Sequence, residues 1–199
     1  STIGALTDVK MDDTNFADSL LIQTDSDGSA PTTGTLSSAE NNIGIGKDVF
    51  ASLTSGDKNT AIGRNAGGAI NTGSRNALLG QAAGQSITSA EQNAIFGDSA
   101  MTTNTSGGSY NSALGTGTLA SVDNGDYNLA IGWQAGYALT SGTGNVIIGS
   151  NADVSSNTGD RQLVISGYDG STTTTWISGD NSGVLTFNTA NVTQQALTS

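Results

Sequence analysis

The sequence predicts an all-β chain, a β-solenoid (β-roll or β-helix) of about seven 17-residue coils flanked by short β segments. Three observations carry that expectation. An Asn followed four residues later by Gly recurs seven times at near-fixed spacing, the position before each of those glycines is bulky and apolar, and another Gly returns near the end of almost every coil. The period is shorter than any helical repeat unit, which leaves stacked β-coils.

The Asn column is Asn42, Asn59, Asn76, Asn93, Asn111, Asn128 and Asn145. Successive copies lie 17 residues apart except for one step of 18, whose extra residue falls near Ser109 and Tyr110. A turn alone would accept Asp or Gly as readily. If the coils stack in register, identical asparagines lie about 4.8 Å apart, and each side-chain amide can hydrogen-bond the next as a structural ladder.

The column before the Gly is Ile45, Ile62, Leu79, Phe96, Leu114, Ile131 and Ile148, and it reads as the core column. Three residues past the Gly the side chain is mostly small, from Val49 and Ala66 to Ala135 and Ala152. A second apolar column follows with Leu53, Ile70, Ile87, Val122 and Leu139, interrupted by Asn104 and Ser156. Two bulky columns around a small one suit a thin core between two facing β-layers. Gly56, Gly73, Gly107, Gly125, Gly142 and Gly159 fall at the corners, where a Cβ is penalised.

Composition alone points the other way. Leu, Ile, Val and Phe make up just under a fifth of the chain and the net charge is -11, values typical of disorder. The repeat overrides that prior, because ladders between coils supply order that large side chains otherwise would. The core is still thin: the second coil has only Ile62 and Ile70 as large apolar residues. Packing against other copies of the chain is the natural supplement, so a homo-oligomer is expected.

Three segments follow. Residues 1–41 are an N-terminal strand and connector segment, with short strands expected around Leu6 to Val9 and Ser19 to Gln23 and a turn from Asp25 to Gly28. Residues 42–161 are the solenoid. Residues 162–199 form a C-terminal β-cap that opens with a degenerate eighth coil at Gln162 to Ile165, continues in strands near 172–177 and 184–187, and is anchored by Trp176 and Phe187. A cap protects the unpaired backbone groups of a terminal coil.

Little in the chain supports chemistry. Histidine and cysteine are absent, so the usual general bases and nucleophiles are missing and no catalytic residue is assigned. Asp57, Asp126 and Asp160 follow corner glycines, but paired carboxylates need a cleft that the repeat does not suggest. The calcium-binding β-roll motif is missing, since Gly107-Gly108-Ser109-Tyr110 lacks its third Gly and its Asp. No metal or other cofactor is expected. A net charge of -11 argues against nucleic acid as a partner, and the apolar runs are too short to span a membrane. Trp133 and Tyr137, on one coil, are the candidate glycan contacts, because exposed rings beside polar groups can stack on sugar faces; the competing role is to fill a seam between subunits.

The units Asn59-Thr60-Ala61-Ile62-Gly63-Arg64-Asn65-Ala66 and Asn128-Leu129-Ala130-Ile131-Gly132-Trp133-Gln134-Ala135 resemble the repeats of bacteriophage tail fibres and related virion fibre proteins. The stretch from Leu163 to Gly167 and on through Trp176 to Asp180 is similar to the segment that follows such repeats there. The resemblance implies an intertwined homotrimer on the virion, hence an extracellular, non-enzymatic structural rod that contacts other virion proteins and presents or connects host-recognition elements. A related pattern occurs in the heads of trimeric autotransporter adhesins, with a shorter period. The alternative is an adhesin module whose solenoid surface itself binds host glycan or protein.

Overall fold

The computed structural model describes residues 8–23, 31–103 and 107–188. Among these described residues twelve strands form one sheet in strict chain order. β1 (Val9–Asp13) and β2 (Phe16–Ile22) make an antiparallel hairpin, and β2 opens the parallel stack. One three-residue strand per coil follows: β3 (Ile43–Ile45), β4 (Thr60–Ile62), β5 (Ala77–Leu79), β6 (Ala94–Phe96), β7 (Ser112–Leu114), β8 (Leu129–Ile131) and β9 (Val146–Ile148). β10 (Leu163–Tyr168) is the last parallel rung, and β11 (Thr173–Gly179) and β12 (Leu185–Phe187) continue the sheet antiparallel. The chain is therefore an all-β solenoid of about seven turns, with parallel coils stacked about 17 residues apart. At the usual interstrand spacing of ~4.8 Å, the nine rungs from β2 to β10 span about 38 Å.

Register is kept through the 18-residue step as well, since Phe96 pairs with Leu114 just as Ile62 pairs with Leu79. The column read as the core does not lie in it. Ile45, Ile62, Leu79, Phe96, Leu114 and Ile131 are 37–53% exposed, and Ile148 is half-buried. Side chains alternate faces along a strand, so only one residue of each triplet faces inward, and it is the middle one: Gly44, Ala61, Leu78, Ile95, Ala113, Ala130 and Ile147. These pack against the small column and against Leu53, Ile70, Ile87, Val122 and Leu139, all fully buried. Their sizes vary because neighbouring rungs share volume. A Cβ on Gly44 would press into Leu21 and Phe50, and one on Gly67 would meet Ile70 and Leu78 at 2.8 Å.

The second wall is not a β-layer either. It is a run of turns in which Asp48, Phe50, Asn65, Gly67, Ala82 and Gly84 all have φ between 55° and 60°. Paired left-handed residues fold the backbone back too sharply for an extended strand, which accounts for the abundance of Gly, Asn and Asp.

At the N-terminus the described strand begins at Val9, while Leu6 and Thr7 of the expected strand and the Asp25 to Gly28 turn lie outside the described residues, as does Asn104. At the C-terminus, Trp176 and Phe187 are 56% and 51% exposed and do not anchor a cap. β11 and β12 pair edge to edge with β10, which sends their side chains onto the two faces of the sheet rather than over the end of the coil.

Candidate functional site

The asparagine column lies inside the solenoid, each member no more than 1% exposed, and its geometry uses every polar atom of the amide. Asn59 Nδ2 donates to Asn42 Oδ1 on the rung before (3.1 Å) and to the Gly73 carbonyl at the end of its own coil (2.9 Å). Asn59 Oδ1 accepts the Asn76 backbone N–H (3.0 Å) and Asn76 Nδ2 (3.1 Å). The pattern repeats at Asn76, Asn128 and Asn145. Two donors and two acceptors are thus satisfied without water, an arrangement closed to Asp, which cannot donate when ionised. At the 18-residue step the Asn111 N–H still reaches Asn93 Oδ1 (2.9 Å), while its Nδ2 bonds only Gly125. Ser19 starts the ladder and Gln162 ends it, Gln162 standing in for an eighth Asn.

A second ladder runs alongside. The Glu40 amide donates to Asp57 Oδ1 (2.9 Å), Asp57 to Ser74 Oγ (3.0 Å), Glu91 to Ser109 Oγ (3.0 Å), Ser109 to Asp126 Oδ1 (2.7 Å) and Thr143 to Asp160 Oδ1 (2.8 Å). From Asp57 to Asp160 acids alternate with hydroxyls, and every member but Glu91 caps the amide of the rung before it. This gives Asp57, Asp126 and Asp160 a structural task, and from Asp57 onward it keeps like charges off adjacent rungs, with Glu40 beside Asp57 the exception.

The outward face of the sheet is the most unusual surface. Ile22, Ile45, Ile62, Leu79, Phe96, Leu114, Ile131, Ile148 and Ile165 stack in register over nine rungs. The second outward column adds Ile43, Leu129 and Val146, and no outward position of β3 to β9 carries a charge.

Trp133 and Tyr137 are 43% and 49% exposed, but the structure does not join their rings. Trp133 instead stacks on Tyr168 across two rungs (5.9 Å, 27°). Tyr110 and Tyr127 stack face to face on successive rungs (4.7 Å, 5°). The chain matches no family model, no curated protein and no solved structure at a significant level.

Sequence reasoning missed Tyr168 and Asp169, and assigned Trp176 to a cap. Their signal was faint: only the length of β10, six residues where the coil strands have three, sets this end apart. Asp153 was missed as well. It is half-buried at the last coil, and burial raises its pKa above the ordinary aspartate value, against the lowering effect of N–H bonds from Ala138 (2.9 Å) and Val154 (3.0 Å).

Proposed function

We propose that this chain is a non-enzymatic structural segment of a bacteriophage fibre, a rigid rod that associates laterally with two further copies of itself on the outside of the virion and connects or presents host-recognition elements. The observation that carries the reading is the uncharged apolar face of the sheet. Monomers rarely leave a contiguous apolar patch of more than a few hundred Å² in water, and here it runs the length of the stack in a chain of net charge -11. Fully burying an Ile, Leu or Phe contributes about 1.5–3 kcal/mol, so covering the exposed 40% or so of each contributes about 0.6–1.2 kcal/mol. The resemblance of the repeat units to those of phage fibres supports the trimer number and the virion setting. Other virion proteins are the expected neighbours along the rod axis.

Sedimentation equilibrium tests it. The wild-type chain should run at three times 19.8 kDa, and Leu79→Lys, which places a charge mid-face, should run as a monomer with unchanged far-UV circular dichroism. A wild-type monomer at micromolar concentration, or a Leu79→Lys trimer, refutes lateral association through this face.

A further inference from the structure

We infer that the overhanging end of the β10–β11 hairpin is a binding groove for a neutral pyranose sugar, with Trp176 as its stacking platform. The coil strands end at the residue before their Gly, but β10 pairs with β9 through Ile165 and then runs on through Ser166, Gly167 and Tyr168. The overhang lies beside the apolar face, past the column where earlier coils turn. The groove there measures about 340 Å³ and is lined by Gly167, Tyr168, Asp169, Thr172, Thr174 and Trp176, a volume at the lower end of small-molecule sites.

Each element of the groove has a chemical role. A Cβ on Gly167 would run into the six-membered ring of Trp176, so the indole rests directly on the glycine backbone, and Trp176 is nonetheless 56% exposed. The indole is therefore braced against backbone while more than half of the residue stays open to solvent, and a pyranose can stack on the open part. Tyr168 also lines the groove, while its ring stacks on Trp133 and the residue pairs across the hairpin with Thr173 rather than with Trp176. Asp169 closes the end: Ser171 N–H, Ser171 Oγ and Thr172 N–H all bond its Oδ1 (2.9, 3.0 and 2.8 Å), leaving Oδ2 to accept a sugar hydroxyl. The bonds from Thr172 and Ser171 hold the carboxyl below its ordinary range. The Thr174 hydroxyl has no partner among the described residues and supplies a second polar contact. The Asp169 carboxylate in the groove disfavours acidic sugars, so the class is neutral pyranoses.

Ligand-observed saturation-transfer NMR on the full chain tests this, with the methyl pyranosides of glucose, galactose, mannose and N-acetylglucosamine as probes and methyl glucuronide as the acidic comparison. At least one neutral pyranoside should receive saturation on its ring C–H protons, and the glucuronide should receive clearly less. Trp176→Ala should weaken binding about tenfold, the loss of one aromatic contact, while Trp176→Phe retains most of it. Thr174→Val, which keeps the strand and removes only a hydroxyl, should weaken binding severalfold and carries the test if Trp176→Ala does not fold. No transfer to any neutral probe at about 10 mM, equal transfer to the glucuronide, or binding unchanged in both Trp176→Ala and Thr174→Val overturns the inference. So does loss of the oligomer in Trp176→Ala without sugar binding in the wild type, which would make Trp176 a subunit contact. The lateral-association reading is judged by mass alone, so either proposal can fail without the other.

Discussion

Asn76→Asp is the sharpest perturbation of the stack, because it changes one atom and almost no volume. Asn76 Nδ2 donates to Asn59 Oδ1 (3.1 Å) and to the Ala90 carbonyl (2.9 Å) at a site 1% exposed. An aspartate there loses both bonds, at about 0.5–1.5 kcal/mol each, and leaves two buried acceptors facing a carboxylate oxygen, each worth a further 1 kcal/mol or more. The expected loss is about 3–5 kcal/mol at pH 7, which for a chain of this size lowers Tm by roughly 10 °C. Burial raises the pKa of the new carboxyl, and once protonated it donates one bond again. The deficit should therefore shrink on acidification from pH 7 to pH 4, when measured against wild type at each pH. Thermal unfolding followed by circular dichroism reads both effects. A shift under 2 °C at pH 7, or a deficit that grows in acid, would mean that the amide column is not what ties the rungs together.

Gly67→Ala should destabilise by about 2–4 kcal/mol in urea unfolding, because its Cβ meets Ile70 and Leu78 at 2.8 Å in a packed core and its φ is +57°. Gly117→Ala, with a similar φ of +66° but only Gln134 Cγ nearby at 3.2 Å, should cost about 1 kcal/mol; equal losses would show that backbone strain alone sets the cost. Asp153 makes a pH prediction of opposite sign to an ordinary ion-paired carboxylate. Its folded pKa lies above 3.8 through burial, so the native state binds the extra proton, and the contribution is most favourable below 3.8 and is lost as pH rises through the folded value. The stability of Asp153→Asn relative to wild type should therefore rise between pH 3.5 and 6.5, and a flat or falling difference refutes the assignment.

The period, the parallel stacking and the asparagine column were legible in the sequence because each depends on identity at a fixed spacing, and in-register stacking preserves identity. Inside and outside were not. The column before the Gly is uniformly bulky, and uniform bulk reads as a core, yet the inward column varies from Gly44 to Leu78 to Ile147 because each rung borrows space from its neighbours. Period-two alternation cannot be recognised in a strand of three residues. The left-handed wall was hidden for a related reason: Phe50, Met101 and Leu119 occupy φ values of 52–55° that no residue preference would suggest. The groove at the β10 overhang lay furthest from view, since it depends on a strand that outruns the repeat and on an indole settling over a single glycine.

The same geometry explains why polar residues are buried here while large apolar ones face water. A coil with one three-residue strand has room inside for one inward side chain from that strand and a few from the turns, too little apolar surface to hold it closed. The amide column closes it instead, since each Asn bonds both the end of its own coil and the next rung, and the interior then tolerates residues as small as Ala61 and Ala130. Bulky residues displaced from so narrow an interior collect on the outer face, where stacking forces them into one continuous column. Coil closure and the apolar face thus follow from one constraint, the narrowness of the coil, and the two can be separated experimentally: Asn76→Asp should unfold the rungs locally, whereas Leu79→Lys should leave every rung intact and change only what the face can hold.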